Sequence, residues 1–288
     1  MRILVTGTKG NLACRISGVL ETAHKDVEVM QISVRGDNWE SDVECGDFDA
    51  IIHCAGLIGN AATTEEEYYR TNVELTERVY RFANEKKIPH FVHLSSMAVY
   101  DSTNWGFGAN GIITGLTTPC ASSKYGKSKL MSENVLLNAN KKEDSIVLSI
   151  VRAPSIVGKG MEKYFSTYEH IVKLPFVINT FREAKRSFVY VDTLIEFMYY
   201  IIKNKMGGVF FPQNLPLLSV SEICEEMNLV RGANKPVVNI PKCIIPKKIA
   251  KKFFSQICYS PDLSESINKE VGRISSREVI RICEKEMY

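Results

Sequence analysis

What the chain lacks narrows the field first. Its eight cysteines, at 14, 45, 54, 120, 224, 243, 258 and 283, form no Cys-x-x-Cys pair and lie beside no histidine cluster. That pattern argues against a zinc site and against a disulfide frame, so reduced thiols in a reducing compartment are expected. Cys14 and Cys54 fall inside apolar runs, where a free cysteine packs as a small hydrophobe. No apolar run approaches the ~18 residues that a membrane span requires. Met1-Arg2-Ile3-Leu4-Val5 carries no secretory pattern, and the expected location is the cytoplasm. A strong charge imbalance is also missing. The 36 Lys and Arg and 33 Asp and Glu leave a formal +3, which suits a small anionic ligand and is too weak to argue for nucleic acid. His90 and His93 are separated by an odd number of positions, which puts them on opposite faces of a strand, so no metal site is expected. Repeats, low-complexity tracts and disordered charge blocks are absent.

What is present is a core-forming chain of 288 residues, 45% hydrophobic. That is enough for one large domain with a smaller lobe. The runs Ile3–Thr6, Ala50–Cys54, Phe91–Ser95 and Ile146–Val151 are continuous and rich in β-branched residues, as strands of a covered parallel sheet read. Val27–Ile32 is a fifth, more polar candidate. Helices are expected over Leu12–Ala23, Glu65–Asn84 and Ser122–Asn140, the second capped by Thr63 or Thr64 with Glu66 or Glu67. This alternation predicts an α/β fold, a doubly wound parallel (Rossmann) sheet with its cleft at the carboxyl ends of the strands. The predicted division is a dinucleotide-binding domain over 1–153, joined again by 186–205. Residues 154–185 and 206–288, where prolines punctuate short segments, are left for a smaller C-terminal substrate-binding lobe.

Val5-Thr6-Gly7-Thr8-Lys9-Gly10-Asn11-Leu12-Ala13 joins the first strand to the first helix. Gly7 permits a tight turn, Gly10 lets backbone amides approach a pyrophosphate, and Ala13 allows close helix packing. The helix N-terminus then faces the anion. An acid after the second strand would select a free ribose hydroxyl, hence NAD. The chain offers Gln31-Ile32-Ser33-Val34-Arg35 instead, and Arg35 leans the expectation toward the 2′-phosphate of NADP, a solvated Arg35 being the alternative.

Tyr125 and Lys129 share a helix face at a spacing of four. A phenol titrates near ~10, and a neighbouring ammonium is expected to lower that value. His93-Leu94-Ser95-Ser96 ends a strand at the same sheet edge, where the Ser96 hydroxyl would meet a carbonyl or carbinol oxygen. Ser96, Tyr125 and Lys129 beside a dinucleotide make a hydride-transfer site.

Seven segments in one order carry a resemblance. They are Thr6-Gly7-x-x-Gly10-x-x-Ala13, Asp49 to Gly56, Asn72 to Thr76, Ser95 to Tyr100, Tyr125 to Lys129, Arg152 to Gly158 and Arg186 to Asp192. Together they make the chain resemble the extended short-chain dehydrogenase/reductases of the NAD-dependent epimerase/dehydratase type. The resemblance implies that Tyr125 is the general acid/base, that Lys129 also binds the nicotinamide ribose, and that Ser96 orients the substrate oxygen. It implies that Asn11, Leu12, Cys54, Ala55 and Asn72 line the cofactor, that Pro154 borders the nicotinamide, and that Arg186 approaches a nucleotide-sugar substrate. It also implies a homodimer built on the two long helices.

The chain departs from this family in Ala13, in the missing acid after the second strand, and in the short stretch from Asp37 to Asp49. Dehydratases of the family resemble one another in an acidic pair after the catalytic Ser/Thr. Met97 and Ala98 stand there and cannot move protons. The resemblance therefore implies a nucleotide-sugar 4-epimerase or 4-ketoreductase using NAD or NADP. A reductase of a non-sugar ketone and a non-catalytic dinucleotide sensor are the alternatives. Pro246 to Phe254 is basic with an apolar edge and reads as a solvated helix face with Phe253 and Phe254 packed inward. A membrane surface or a diphosphate is its other reading. Trp39 and Trp105 are expected in loops without a role, and Tyr68, Tyr69, Tyr199 and Tyr200 as packing residues.

Overall fold

The computed structural model describes residues 1–43, 47–100, 111–143, 145–161 and 163–287; Cys45 and Trp105 lie outside them. The chain divides into two compact units, one of residues 1–101, 119–153 and 195–211, the other of 102–118, 154–194 and 212–288.

The first unit is built on a six-stranded sheet. Its strands are β1 (Arg2–Thr6), β2 (Glu28–Ile32), β3 (Ala50–His53), β4 (His90–Ser96), β5 (Val147–Ala153) and β6 (Gly208–Phe210). Their order is β6-β5-β4-β3-β1-β2, and every neighbouring pair is parallel. Ile3, Leu4, Val5, Ile51, Ile52, Phe91 and Val92 are fully buried, as strands covered on both faces require. After β2 the chain passes back across β1 to lay β3 on its other side. The strand order therefore reverses between β1 and β3, the place where open parallel sheets bind ligands at their carboxyl ends.

Helices α1 (Asn11–Ala23), α2 (Glu65–Tyr69), α3 (Leu75–Glu85), α4 (Lys124–Glu143) and most of α5 (Val191–Lys203) complete this unit. The helix expected over Glu65–Asn84 is interrupted by a π-helical stretch, Arg70–Glu74. Its capping box uses Thr64 and Glu67: the Glu67 N–H donates to Thr64 Oγ1 at 3.1 Å and the Thr64 N–H to Glu67 Oε2 at 2.7 Å. Trp39 is not a bare loop residue. It sits in a short 3₁₀ turn, is almost fully buried, and packs on Phe82 at 5.1 Å between ring centroids, with the Arg78 guanidinium 5.5 Å from its ring. Tyr68 and Tyr199 pack inward, whereas Tyr69 is exposed.

Of the segment 186–205, Phe188–Tyr190 pairs with Ser155–Val157 in the second unit, and the strand that completes the main sheet is Gly208–Phe210. That strand has only three residues and opens on glycine, too short for a periodic signal.

The second unit is made of two-stranded ladders and helices. Lys185–Arg186 pairs with Leu218–Ser219, Val177–Ile178 with Val237–Val238, and Ile112–Ile113 with Cys258–Tyr259. Helices α6 (Val220–Val230), α7 (Lys247–Phe254) and α8 (Ser276–Met287) pack among them. Arg231 ties this unit together by pairing with both Glu169 and Glu284. No described helix is long and apolar enough to cross a membrane.

Candidate active site

The turn after β1 has the geometry a diphosphate needs. Gly7 adopts φ +107°, a conformation that side chains disfavour, and its N–H donates to Ile32 O of the neighbouring β2 at 2.7 Å. Gly10 is the N-cap of α1, with no side-chain cap and no acid in the first turn. A Cβ built on Gly10 would meet nothing within 4 Å, so the space before the helix N-terminus is open. Asn11 is exposed, and Leu12 and Ala13 are buried. Positive helix-end amides, unopposed by an acid, facing open space at the strand-order reversal fit the diphosphate of a dinucleotide.

Across the reversal, the Ala55 N–H donates to Thr6 Oγ1 at 3.2 Å and Cys54 Sγ to Thr6 O at 3.1 Å. Burial pushes the Cys54 thiol up to about 12, which removes it as a nucleophile. Asn72 lies in the π-helical stretch. Its Oδ1 accepts from the Leu57 N–H at 2.6 Å, and its Nδ2 donates to Leu57 O and to Ser128 Oγ, both at 2.9 Å. One buried amide thereby fastens the segment after β3 to α4. Arg35 is exposed beyond β2.

Ser96 closes β4 and caps the short turn after it, accepting from the Ala98 N–H at 3.1 Å. Tyr125 lies in the first turn of α4, with the Ser96 hydroxyl near enough to its phenol to favour the ionised form. The approach of α4 to that turn depends on Gly126, because a Cβ there would overlap the Ala98 carbonyl oxygen. The Gly126 N–H donates to Ser123 Oγ at 3.0 Å, which fixes the first turn of the helix. Ser96, Tyr125 and Lys129 thus come together, but the electrostatics differ from expectation. Burial raises the Tyr125 phenol above its ordinary value, the nearby Ser96 hydroxyl opposes that, and Lys129 is not among the causes. Lys129 is buried, and burial lowers its ammonium to about 8 while Glu133 and Cys54 pull it upward.

Behind these groups lies a polar layer that the sequence reading passed over. Glu133, one turn beyond Lys129, is buried and takes Arg152 in a bidentate pair, with Nη2 to Oε2 at 2.6 Å and Nε to Oε1 at 3.1 Å. Ser95 Oγ donates to the same carboxylate, and Arg152 Nη1 donates to Tyr100 OH at 2.7 Å. His53 bridges Thr6 Oγ1 at 2.8 Å and Thr76 Oγ1 at 3.0 Å. Thr76 itself donates to Asn72 O at 2.7 Å, so the His53 Nε2 carries the proton and Nδ1 accepts from Thr6. Burial drives His53 down to about 3 and His93 well below its usual value, so both rings are neutral. The available signal for Glu133 was its place four residues after Lys129, on the same helix face.

Pro154 and Arg186 belong to the second unit. Pro154 is buried directly after β5, and Arg186 is half-buried with Nη2 donating to Ser255 Oγ at 3.3 Å. Among the described residues, no group of three or more His, Cys, Asp or Glu is placed to hold a metal ion.

Comparison with known proteins bears on this arrangement. The model of the NAD dependent epimerase/dehydratase family matches residues 3–210. An N-acetyl-alpha-D-glucosaminyl-diphospho-ditrans,octacis-undecaprenol 4-epimerase of Escherichia coli O157:H7 is 24% identical, over 98% of this chain and 85% of its own. The UDP-glucuronic acid 4-epimerase of Bacillus cereus in complex with NAD superposes with a TM-score of 0.74 at 17% identity, covering 100% of this chain and 97% of that one. The structure of RMD from Pseudomonas aeruginosa complexed with NADPH gives a TM-score of 0.75 at 17% identity, covering 99% of both chains.

Proposed function

Because the chain belongs to the NAD-dependent epimerase/dehydratase family, we propose that it is a 4-epimerase of a diphosphate-linked sugar, with Tyr125 as its acid/base. One observation carries this reading. The Tyr125 phenol lies beside the Ser96 hydroxyl, one helical turn from a buried lysine, at the carboxyl edge of the sheet whose first turn fits a diphosphate.

When bound, the dinucleotide supplies the acceptor and then the donor of the hydride. Tyr125 takes the proton from the carbinol oxygen as the C–H bond breaks, and returns it once the ketone has presented its other face. Ser96 holds that oxygen beside the phenol. Lys129 holds the ribose and supplies positive charge below pH about 8. Burial that keeps the phenol protonated suits the returning half of the cycle, when Tyr125 acts as an acid. The diphosphate linkage shared by nucleotide sugars and the undecaprenol-linked sugar named for the Escherichia coli relative supports a diphosphate-linked sugar as the substrate class.

A second reading rests on Arg35, exposed after β2 where no acid stands: an NADPH-dependent ketoreductase. The deciding experiment is to denature the purified protein and identify any dinucleotide it releases. Stoichiometric NAD supports the epimerase. An empty protein that prefers NADPH supports the reductase. Tyr125→Phe is expected to lower turnover by about 10²–10⁴-fold with dinucleotide binding retained. Unchanged turnover in that variant, or no binding of either dinucleotide, overturns the reading.

A further inference from the structure

The second unit carries a surface apart from Ser96, Tyr125 and Lys129, which all lie in the first unit. From Met227 to Pro261, 35 residues, there is no Asp or Glu and there are seven Lys or Arg. It is the longest stretch of the chain without an acid. Two of the seven are satisfied within the unit: Arg231 pairs with Glu169 and Glu284, and Lys235 Nζ donates to Val172 O. Lys242, Lys247 and Lys248 are exposed, and no carboxylate among the described residues lies within ion-pair distance of them.

Apolar side chains are exposed along the same stretch. On the inward face of α7 Ala250 and Phe254 are buried, the Phe254 ring stacked on Phe181 at 4.7 Å, while Phe253 is only half-buried. The outward face is not wholly polar. Ile249 on α7 is 45% exposed, and Ile244 on the preceding turn 67%. Val237 and Val238 on the adjoining strand are also exposed, as are Pro236, Pro241, Cys243 and Pro246.

We propose that this stretch, Val237 to Phe254, docks on the surface of a membrane containing anionic phospholipid. Unpaired lysines supply attraction to the headgroups, and Ile244 and Ile249 supply the apolar anchor that enters the interface. Alternation of lysine with isoleucine, without an acid, matches a laterally averaged anionic interface. A nucleic acid would reward the lysines and not the isoleucines. The inference stands apart from the choice of reaction, since none of these residues belongs to the hydride-transfer site.

Vesicle co-sedimentation of the full chain tests it, with phosphatidylcholine vesicles containing one third phosphatidylglycerol against phosphatidylcholine alone. Binding to the anionic vesicles alone is expected, weakening as salt is raised. The charge reversal Lys242→Glu/Lys247→Glu/Lys248→Glu and the separate pair Ile244→Asp/Ile249→Asp should each lower binding by about tenfold. If the isoleucine pair melts early, Ile244→Asp alone, on an exposed turn, replaces it. Absence of vesicle binding at low salt overturns the proposal. So does binding that the isoleucine variants retain in full, or equal affinity for duplex DNA, since either describes a plain polycation.

Discussion

Lys129 and Glu133 occupy successive turns of α4, and the carboxylate opposes the burial that draws the lysine's pKa down to about 8. Glu133 is in turn gripped by Arg152 and Ser95. The lysine's charge therefore depends on a residue placed to touch no substrate. Glu133→Gln is expected to move the alkaline limb of the pH–rate profile to lower pH and to reduce kcat about tenfold. Breaking one side of a buried pair should also cost about 3–5 kcal/mol of stability. A merely structural role would lower the melting temperature and leave the limb where it was, so pH profiles of the folded variant decide. Glu133→Asp should return part of the shift.

Gly126 is the point at which α4 meets the turn carrying Ser96. Gly126→Ala must push the helix off the Ala98 carbonyl and so part Tyr125 from Ser96. Misplacement on the scale of 1 Å costs roughly 10²-fold in rate. We expect a kcat loss of about that size, with dinucleotide affinity near wild type, measured by steady-state kinetics beside a binding titration.

The neutral histidines give the fold a definite acid sensitivity. Burial depresses His53 to about 3 and His90 to about 4, against ~6.5 in an unfolded chain. Between those values the unfolded state binds more protons than the folded state, so stability rises with pH across that window. The contribution is fully present above pH ~6.5 and is lost as pH falls toward 3–4. Melting temperatures between pH 7 and 5 should decline, and His53→Gln should flatten part of that decline while lowering stability at pH 7.

Arg35 separates the two readings of the cofactor. In an epimerase using NAD, Arg35→Ala should leave dinucleotide binding and turnover within about twofold, as for an exposed side chain remote from special features. A loss confined to NADPH, read by fluorescence titration of both reduced cofactors, would place the residue at a 2′-phosphate and favour the reductase.

The parallel sheet was legible because its strands are buried on both faces and so read as unbroken apolar runs: Ile3 to Val5 and Ile51 to Ile52 have no exposed side. Gly208–Phe210 escaped, since three residues carry no period. The meeting of Ser96 with Tyr125 followed from a strand end and a helical spacing, both local patterns. His53 and Gly126 act through contacts that a helix makes with a strand or a turn distant in sequence, and a lone residue of either type gives no local sign of such a contact; Glu133 showed only its spacing from Lys129, not its pairing with Arg152. The direction of the Tyr125 shift was missed for a related reason. Spacing reports how near a charge lies, but not how much water is lost around the phenol.

The π-helical stretch at Arg70–Glu74 amounts to one residue more than a regular helix would hold. Deleting a single residue there would restore an unbroken helix at no loss of helical propensity. It would also turn Asn72 about 100° from its neighbours, since a helix completes a turn in 3.6 residues. The side chain that fastens Leu57 to Ser128 would then point elsewhere. The irregularity sets where Asn72 faces, and that helix is in this sense less forgiving of length change than of substitution.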